Sequence, residues 1–251
     1  MTKAEKNQEK KREQKREWYK SLSEEQQVDY SLYCIEALAF TYRLVETSYN
    51  SLNAFRLKAS ENPALADDYP SALAEAWMFI DSYALFARIL DDSFLSIKKE
   101  ESVKQFLADS ESIRECRNYH FHIDAANHYQ ESGDSLLMGN LSWVSDDGKC
   151  FIPIPSVSLR KNKSSNSVVF DSQRGDYVSK LCLYVNRRGI DFERYYNQIR
   201  IIKDELVARF NDEQITKLFY DCKYNILSVS FEKTTNEIIP TWLEMNSDRQ
   251  V

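Results

Sequence analysis

Histidine is the side chain whose unperturbed pKa places a charge change near neutral pH. All three histidines of this chain, His120, His122 and His128, fall close together. The stretch that carries two of them reads Ile113-Arg114-Glu115-Cys116-Arg117-Asn118-Tyr119-His120-Phe121-His122-Ile123-Asp124. Within it Arg117 is followed at once by the polar Asn118 and, five positions on, by His122. Imidazole can take or give a proton, and guanidinium can hold an anion by charge-assisted hydrogen bonds. Proton transfer beside a bound anion is the chemistry these types and this spacing allow.

The composition of the stretch is helical. Taking Arg114 as zero at about 100° per residue, Asn118 lies near 40° and His122 near 80°, so these three share a polar face. Arg117 lies at about −60°, and Ile113, Cys116, Tyr119 and Ile123 form the expected core face, with His120 at its edge at about −120°. Arg117 and His122 are thus about 140° apart, too far round for one helix to bring both onto one small group. A second copy of the helix would supply the missing half. A metal is the competing reading: His120, Asp124 and His128 at i, i+4 and i+8 share a face that could hold zinc. The same face is equally explained by simple side-chain pairs.

The Arg117-Asn118-x-x-x-His122 arrangement resembles the ribonuclease motif, Arg-x4-6-His, of the HEPN superfamily. The resemblance extends to two long helices before the motif, a Leu141-Ser142-Trp143 element after it, and a strand-then-helix segment from Tyr177 to Phe210. It implies a helical bundle that dimerises so that two motifs line one cleft, and RNA cleavage without metal or other cofactor. In that scheme the RNA 2′-hydroxyl attacks the adjacent phosphorus. His122 would carry a proton transfer, Arg117 would hold the phosphate oxygens and Asn118 would orient the histidine or the sugar. Arg114 with His120 also satisfies the spacing and stays open as the pair. A non-catalytic relative that binds nucleotide, RNA or a partner protein is the alternative.

The elements that must position these residues are legible from periodicity. Residues 1–22 read as a basic helical arm, its glutamates Glu5, Glu9, Glu13 and Glu17 at i,i+4 giving like-charge stacking and predicting a solvated, fraying helix. An arm in contact with RNA is the second reading. Ser23 to Gln26 has capping-box spacing and predicts the start of a long helix. Leu32, Ile35, Ala39, Tyr42, Val45, Tyr49, Leu52 and Phe55 then draw a stripe to about residue 58. Pro70 suits the first turn of a second long helix, with Ala76, Ile80, Tyr83, Ala87, Leu90 and Phe94 running to about residue 97. The motif helix is expected over roughly 110–131.

All five glycines lie between Gly133 and Gly189, so the flanks read as helical and the middle as an insertion of turns and strands, at about 136–188. Leu141 with Trp143, Phe151 to Pro155 as an edge, Val168 to Phe170 and Tyr177 to Val185 are the strand candidates, and Gly189 is expected to end them. Asp191 then caps a helix whose stripe is Phe192, Tyr195, Tyr196, Ile199, Ile202, Leu206 and Phe210. Leu227, Val229 and Phe231 alternate as a short strand. The expected fold class is mainly α (α+β), a helical bundle with a small antiparallel β insertion, residues 23–251 forming one domain.

With 33 basic and 39 acidic residues in 251, the formal charge of −6 argues against a broad nucleic-acid-coating face. A local footprint remains: from Leu159 to Arg188 stand Arg160, Lys161, Lys163, Arg174, Lys180, Arg187 and Arg188 against only Asp171 and Asp176. Lys161, Lys163, Arg187 and Arg188, with Arg114, are the candidate RNA-binding residues; a guard against strand pairing at a sheet edge is the other reading. Five scattered cysteines form no Cys-x-x-Cys pair and suggest a reducing compartment. No run approaches the ~20 apolar residues needed to cross a bilayer. The expectation is a cytoplasmic homodimer with no membrane partner, acting on RNA in a toxin-like or defence role, with a cognate antitoxin or other protein as a further partner.

Overall fold

Ser23 begins the longest helix as its spacing predicts. Its hydroxyl accepts the Gln26 backbone N–H at 3.3 Å, and the Gln26 side chain accepts the Ser23 N–H at 3.0 Å, closing a capping box. The computed structural model describes residues 3–62, 68–121, 138–153, 168, 170–173, 175–185 and 188–221. The chain forms two units, Met1–Tyr220 and Asp221–Val251, and among the described residues every helix and strand belongs to the first. In order these are α1 (Lys3–Ser21), α2 (Glu24–Glu61), α3 (Tyr69–Asp92), a 3-10 turn (Ser96–Lys99), α4 (Glu101–Asp109) and α5 (Glu111–Phe121). Strands β1 (Asn140–Val144), β2 (Cys150–Phe151), β3 (Phe170–Asp171), β4 (Asp176–Tyr177), β5 (Leu181–Val185) and β6 (Arg188–Asp191) follow, then α6 (Phe192–Phe210) and α7 (Glu213–Tyr220). The protein is mainly α, a helical bundle with a small antiparallel sheet.

Helices α2 and α3 form the most extensive pairing. Ile35, Leu38, Tyr42, Val45 and Leu52 from α2 meet Ala76, Phe79, Ile80, Tyr83, Ala87 and Leu90 from α3, all fully buried. The stripe expected to reach residue 97 stops at Asp92, where Ser93 turns extended. The Lys98 ammonium donates to the Asp91 carbonyl and, at 3.0 Å, to that of Ser93, so the terminal carbonyls are satisfied by a cation from the next turn. The helix expected over roughly 110–131 starts where expected, at Glu111, with Ser110 separating it from the shorter α4; of that span the described residues end at Phe121.

The four-stranded sheet runs β2-β1-β5-β6, antiparallel throughout, and β3-β4 is a separate ribbon. Phe151 does lie on an edge strand, as expected. Leu181, Leu183 and Val185 face the helices, while Cys182 turns to a second small cluster with Val144 and Val168. Gly139 enters β1 at φ +83°, and a Cβ there would stand 3.0 Å from the Tyr184 carbonyl oxygen, so both conformation and space require glycine. Gly189 does not end the β region: it pairs with Tyr184 inside β6, which continues to Asp191. There the Asp191 carboxylate accepts the Arg194 N–H at 3.0 Å and caps α6.

Arg56, buried on α2, ties helix to sheet by donating to the Val144 carbonyl and the Asp146 carboxylate, both at 2.9 Å. Among the described residues no helix is long and apolar enough to cross a membrane. The expected strand at Leu227 to Phe231 lies outside the described residues.

Candidate functional site

Ile113 and Cys116 anchor α5 in the core, and Ser112 shares a 2.6 Å hydrogen bond with the Tyr195 hydroxyl of α6. This fixes the rotation of α5 and therefore what Arg114, Arg117, Asn118 and His120 face. Burial pushes the Cys116 thiol up to about 12, with the nearby Asp81 carboxylate adding to the shift. A thiol held so high is a core side chain rather than a nucleophile at neutral pH.

Arg114, Arg117 and Asn118 line one cleft of about 450 Å³, together with Ala84, Arg88, Asp91 and Asp92 of α3 and Lys11, Arg12 and Lys15 of α1. With Glu111 the walls carry six basic side chains and three carboxylates, an excess of positive charge in a protein that is acidic as a whole. Asp91 Oδ2 lies 3.7 Å from an Arg12 nitrogen and 3.5 Å from an Arg114 nitrogen, bridging α1 and α5. Lys15 meets Asp92 at 3.0 Å. The arm is solvated as expected, with every side chain from 9 to 21 except Tyr19 exposed, and it also touches the body through aromatic contacts: Tyr19 stacks on Phe94 at 4.3 Å and Trp18 sets its edge to Tyr30 at 5.5 Å.

Behind Arg117 is a second cluster. Its Nε stands 3.7 Å from Asp81 Oδ1 of α3 without forming a hydrogen bond, and its guanidinium lies 4.6 Å over the Phe121 ring. His120 stacks on Trp77 of α3 with ring centroids 4.0 Å apart and planes 18° apart. Among the described residues, Asp81 Oδ1, Arg117 Nε and His120 Nδ1 are all buried without a hydrogen-bond partner. Burial raises the Asp81 carboxyl above its usual range, although His120 and Arg117 both pull it the other way. The cluster can hold a proton or receive a polar group that completes its bonding.

The structure therefore brings Arg117 together with Asn118 and Arg114 on the cleft side, and with His120 and Asp81 on the inner side. His122, Lys161, Lys163 and Arg187 lie outside the described residues. So do Asp124 and His128 of the zinc reading. Arg188 is described, and its guanidinium is paired with Glu115 of α5, which spends its charge locally. Reading the sequence missed Asp81, Trp77 and Arg88, and gave the α1 arm contact with RNA only as its second reading. Asp81 had one signal, a carboxylate within the apolar stripe region of α3, and the α1 lysines and arginines showed as a charge run with no indication of which face meets the cleft. Set against family models, curated proteins and solved structures, the chain has no match in any of the three.

Proposed function

We propose that this protein is a metal-independent endoribonuclease of the HEPN type, working as a homodimer. The observation that carries the reading is that Arg117 and Asn118, adjacent in the motif, both face a cation-rich cleft beside Arg114. A phosphodiester entering it would meet guanidinium groups suited to the charge that develops as the 2′-hydroxyl attacks phosphorus. His122 would transfer the proton, and because a continued helix would set it about 140° round from Arg117, the complete set would come from two protomers. Exposed Met78 and Leu85 share the Asp81 face of α3 at i, i+3 and i+7, and exposed Phe121 stands beside Arg117. Such an apolar rim suits a two-fold contact with a second copy. A toxin or defence role, with a cognate protein partner, follows from the same resemblance.

A specific observation favours the second reading, a non-catalytic nucleotide- or RNA-binding module: the Arg117 guanidinium is partly engaged by Asp81 and Phe121. The experiment is cleavage of single-stranded RNA in EDTA by purified protein. Products should end in 2′,3′-cyclic phosphate, and His122→Ala and Arg117→Ala should each reduce the rate ~10²-fold or more, the scale for losing an acid–base or charge-stabilising group. Binding without cleavage selects the module. Loss of activity on His120→Ala with His122→Ala active selects His120 as the proton carrier.

A further inference from the structure

We infer that helix α1 is one wall of a binding site for a single-stranded polynucleotide backbone, with Lys11, Arg12 and Lys15 contacting successive phosphates opposite Arg114 and Arg117. The inference deepens the ribonuclease reading and takes its ligand class from it. Lys11 and Lys15 are four residues apart, about 6 Å along the helix axis, the order of the separation between neighbouring phosphates in an extended strand. Arg114 and Arg117 form a second cationic row on α5, and the cleft lies between the rows.

Asp91 indicates the kind of group the gap accepts. Its Oδ2 sits between Arg12 at 3.7 Å and Arg114 at 3.5 Å, as an anionic oxygen of a phosphate would sit between the same two guanidiniums. Both distances exceed those of a charge-assisted hydrogen bond, so neither guanidinium is engaged there at full strength. Three carboxylates for six cations leave the walls short of negative charge. A chain of phosphates supplies that charge repeatedly along the groove, which a single carboxylate ligand does not. The docking of α1 by Tyr19 on Phe94 and Trp18 on Tyr30 lies beyond this cationic stretch, toward the C-terminal end of the helix, so removing the charges leaves the aromatic anchor in place.

The test is fluorescence anisotropy with a labelled oligodeoxythymidylate of about 15 nucleotides. It lacks the 2′-hydroxyl and so reports binding whether or not the protein cuts RNA. Titrations on the full chain would run from about 50 to 200 mM salt, where each phosphate contact on a single strand contributes about 0.7 to the slope of log K against log salt. Lys11→Gln with Arg12→Gln and Lys15→Gln should weaken binding about tenfold or more and lower the slope by about 2. Lys11→Gln alone, which keeps the Arg12 to Asp91 and Lys15 to Asp92 pairs, should weaken it about threefold and lower the slope by about 0.7. It decides the matter if the triple variant fails to fold.

Unchanged affinity and slope in both variants overturn the inference, even if wild-type protein cleaves RNA in EDTA. Wild-type protein that cuts no RNA, yet binds the oligonucleotide through α1, overturns the cleavage reading and leaves the inference standing. Binding of inorganic tripolyphosphate without binding of the oligonucleotide assigns the cleft to a free polyphosphate and overturns the polynucleotide assignment.

Discussion

Two regions of this molecule treat their ionisable groups in opposite ways. On the side where α2 meets α6 and the sheet, such groups are hydrogen-bonded: Tyr42 and Tyr196 both donate to Glu46, at 3.0 and 3.1 Å, and Arg56 donates to Asn53, Val144 and Asp146. Among the described residues, the buried atoms left without a partner there are neutral ones, Ser142 Oγ and Trp143 Nε1. On the side where α3 meets α5, Asp81, Arg117 and His120 all present buried atoms with no hydrogen bond among the described residues. An unmade buried hydrogen bond costs about 1–3 kcal/mol and more for a charged group, so the first arrangement stabilises the fold and the second draws on that stability. The difference is between ionisable groups whose hydrogen bonds tie the bundle together and groups at α3–α5 that meet one another through an ion pair and ring contacts without completing their hydrogen bonds.

The largest effect should come from the bonded side. Arg56→Ala removes three hydrogen bonds and the packed stem of a buried side chain between helix and sheet, and should destabilise the fold by about 2–4 kcal/mol in chemical denaturation. A loss under about 0.5 kcal/mol, the range of an ordinary surface change, would erase the contrast from that end.

His120→Ala should cost less, about 1–1.5 kcal/mol, chiefly the ring stacking on Trp77. Its Nδ1 has no hydrogen bond to lose. A loss as large as that of Arg56→Ala would show His120 to be an ordinary structural residue of the first kind.

Asp81→Asn should show the smallest effect on stability, and the sign should be favourable at neutral pH. Burial raises the folded-state pKa, so the native chain binds the Asp81 proton more tightly than the unfolded chain does. The wild type therefore loses stability as pH rises from the ordinary aspartate value, about 3.9, through the raised folded value, and carries that cost at pH 7. The amide has no such titration. The melting temperature of Asp81→Asn relative to wild type should rise with pH across this window and then level off. A variant less stable than wild type at pH 7 would mean that attraction to Arg117 outweighs burial and that the cluster is structural.

Much of the fold is legible along the chain because local rules decide it. The Ser23 capping box, the Asp191 cap and the stripes of α2, α3 and α6 depend on residues within a few positions of each other, where helical geometry leaves little choice. The strand end expected at Gly189 fails because a glycine in a strand and a glycine at a turn look alike without the partner strand, and only pairing with Tyr184 distinguishes them.

Residue types and their periodicity along the chain set which residues could do chemistry, which ride on one helix, and which faces must be buried. Tertiary packing decided what those faces meet. That Arg117 shares its inner side with Asp81 and its outer side with Lys11, Arg12 and Lys15 depends on α3 and α1, both distant in the chain. Helical periodicity fixes the direction of a side chain within its own element, whereas apolar burial is non-directional and leaves the choice of neighbour to the shape of the whole core.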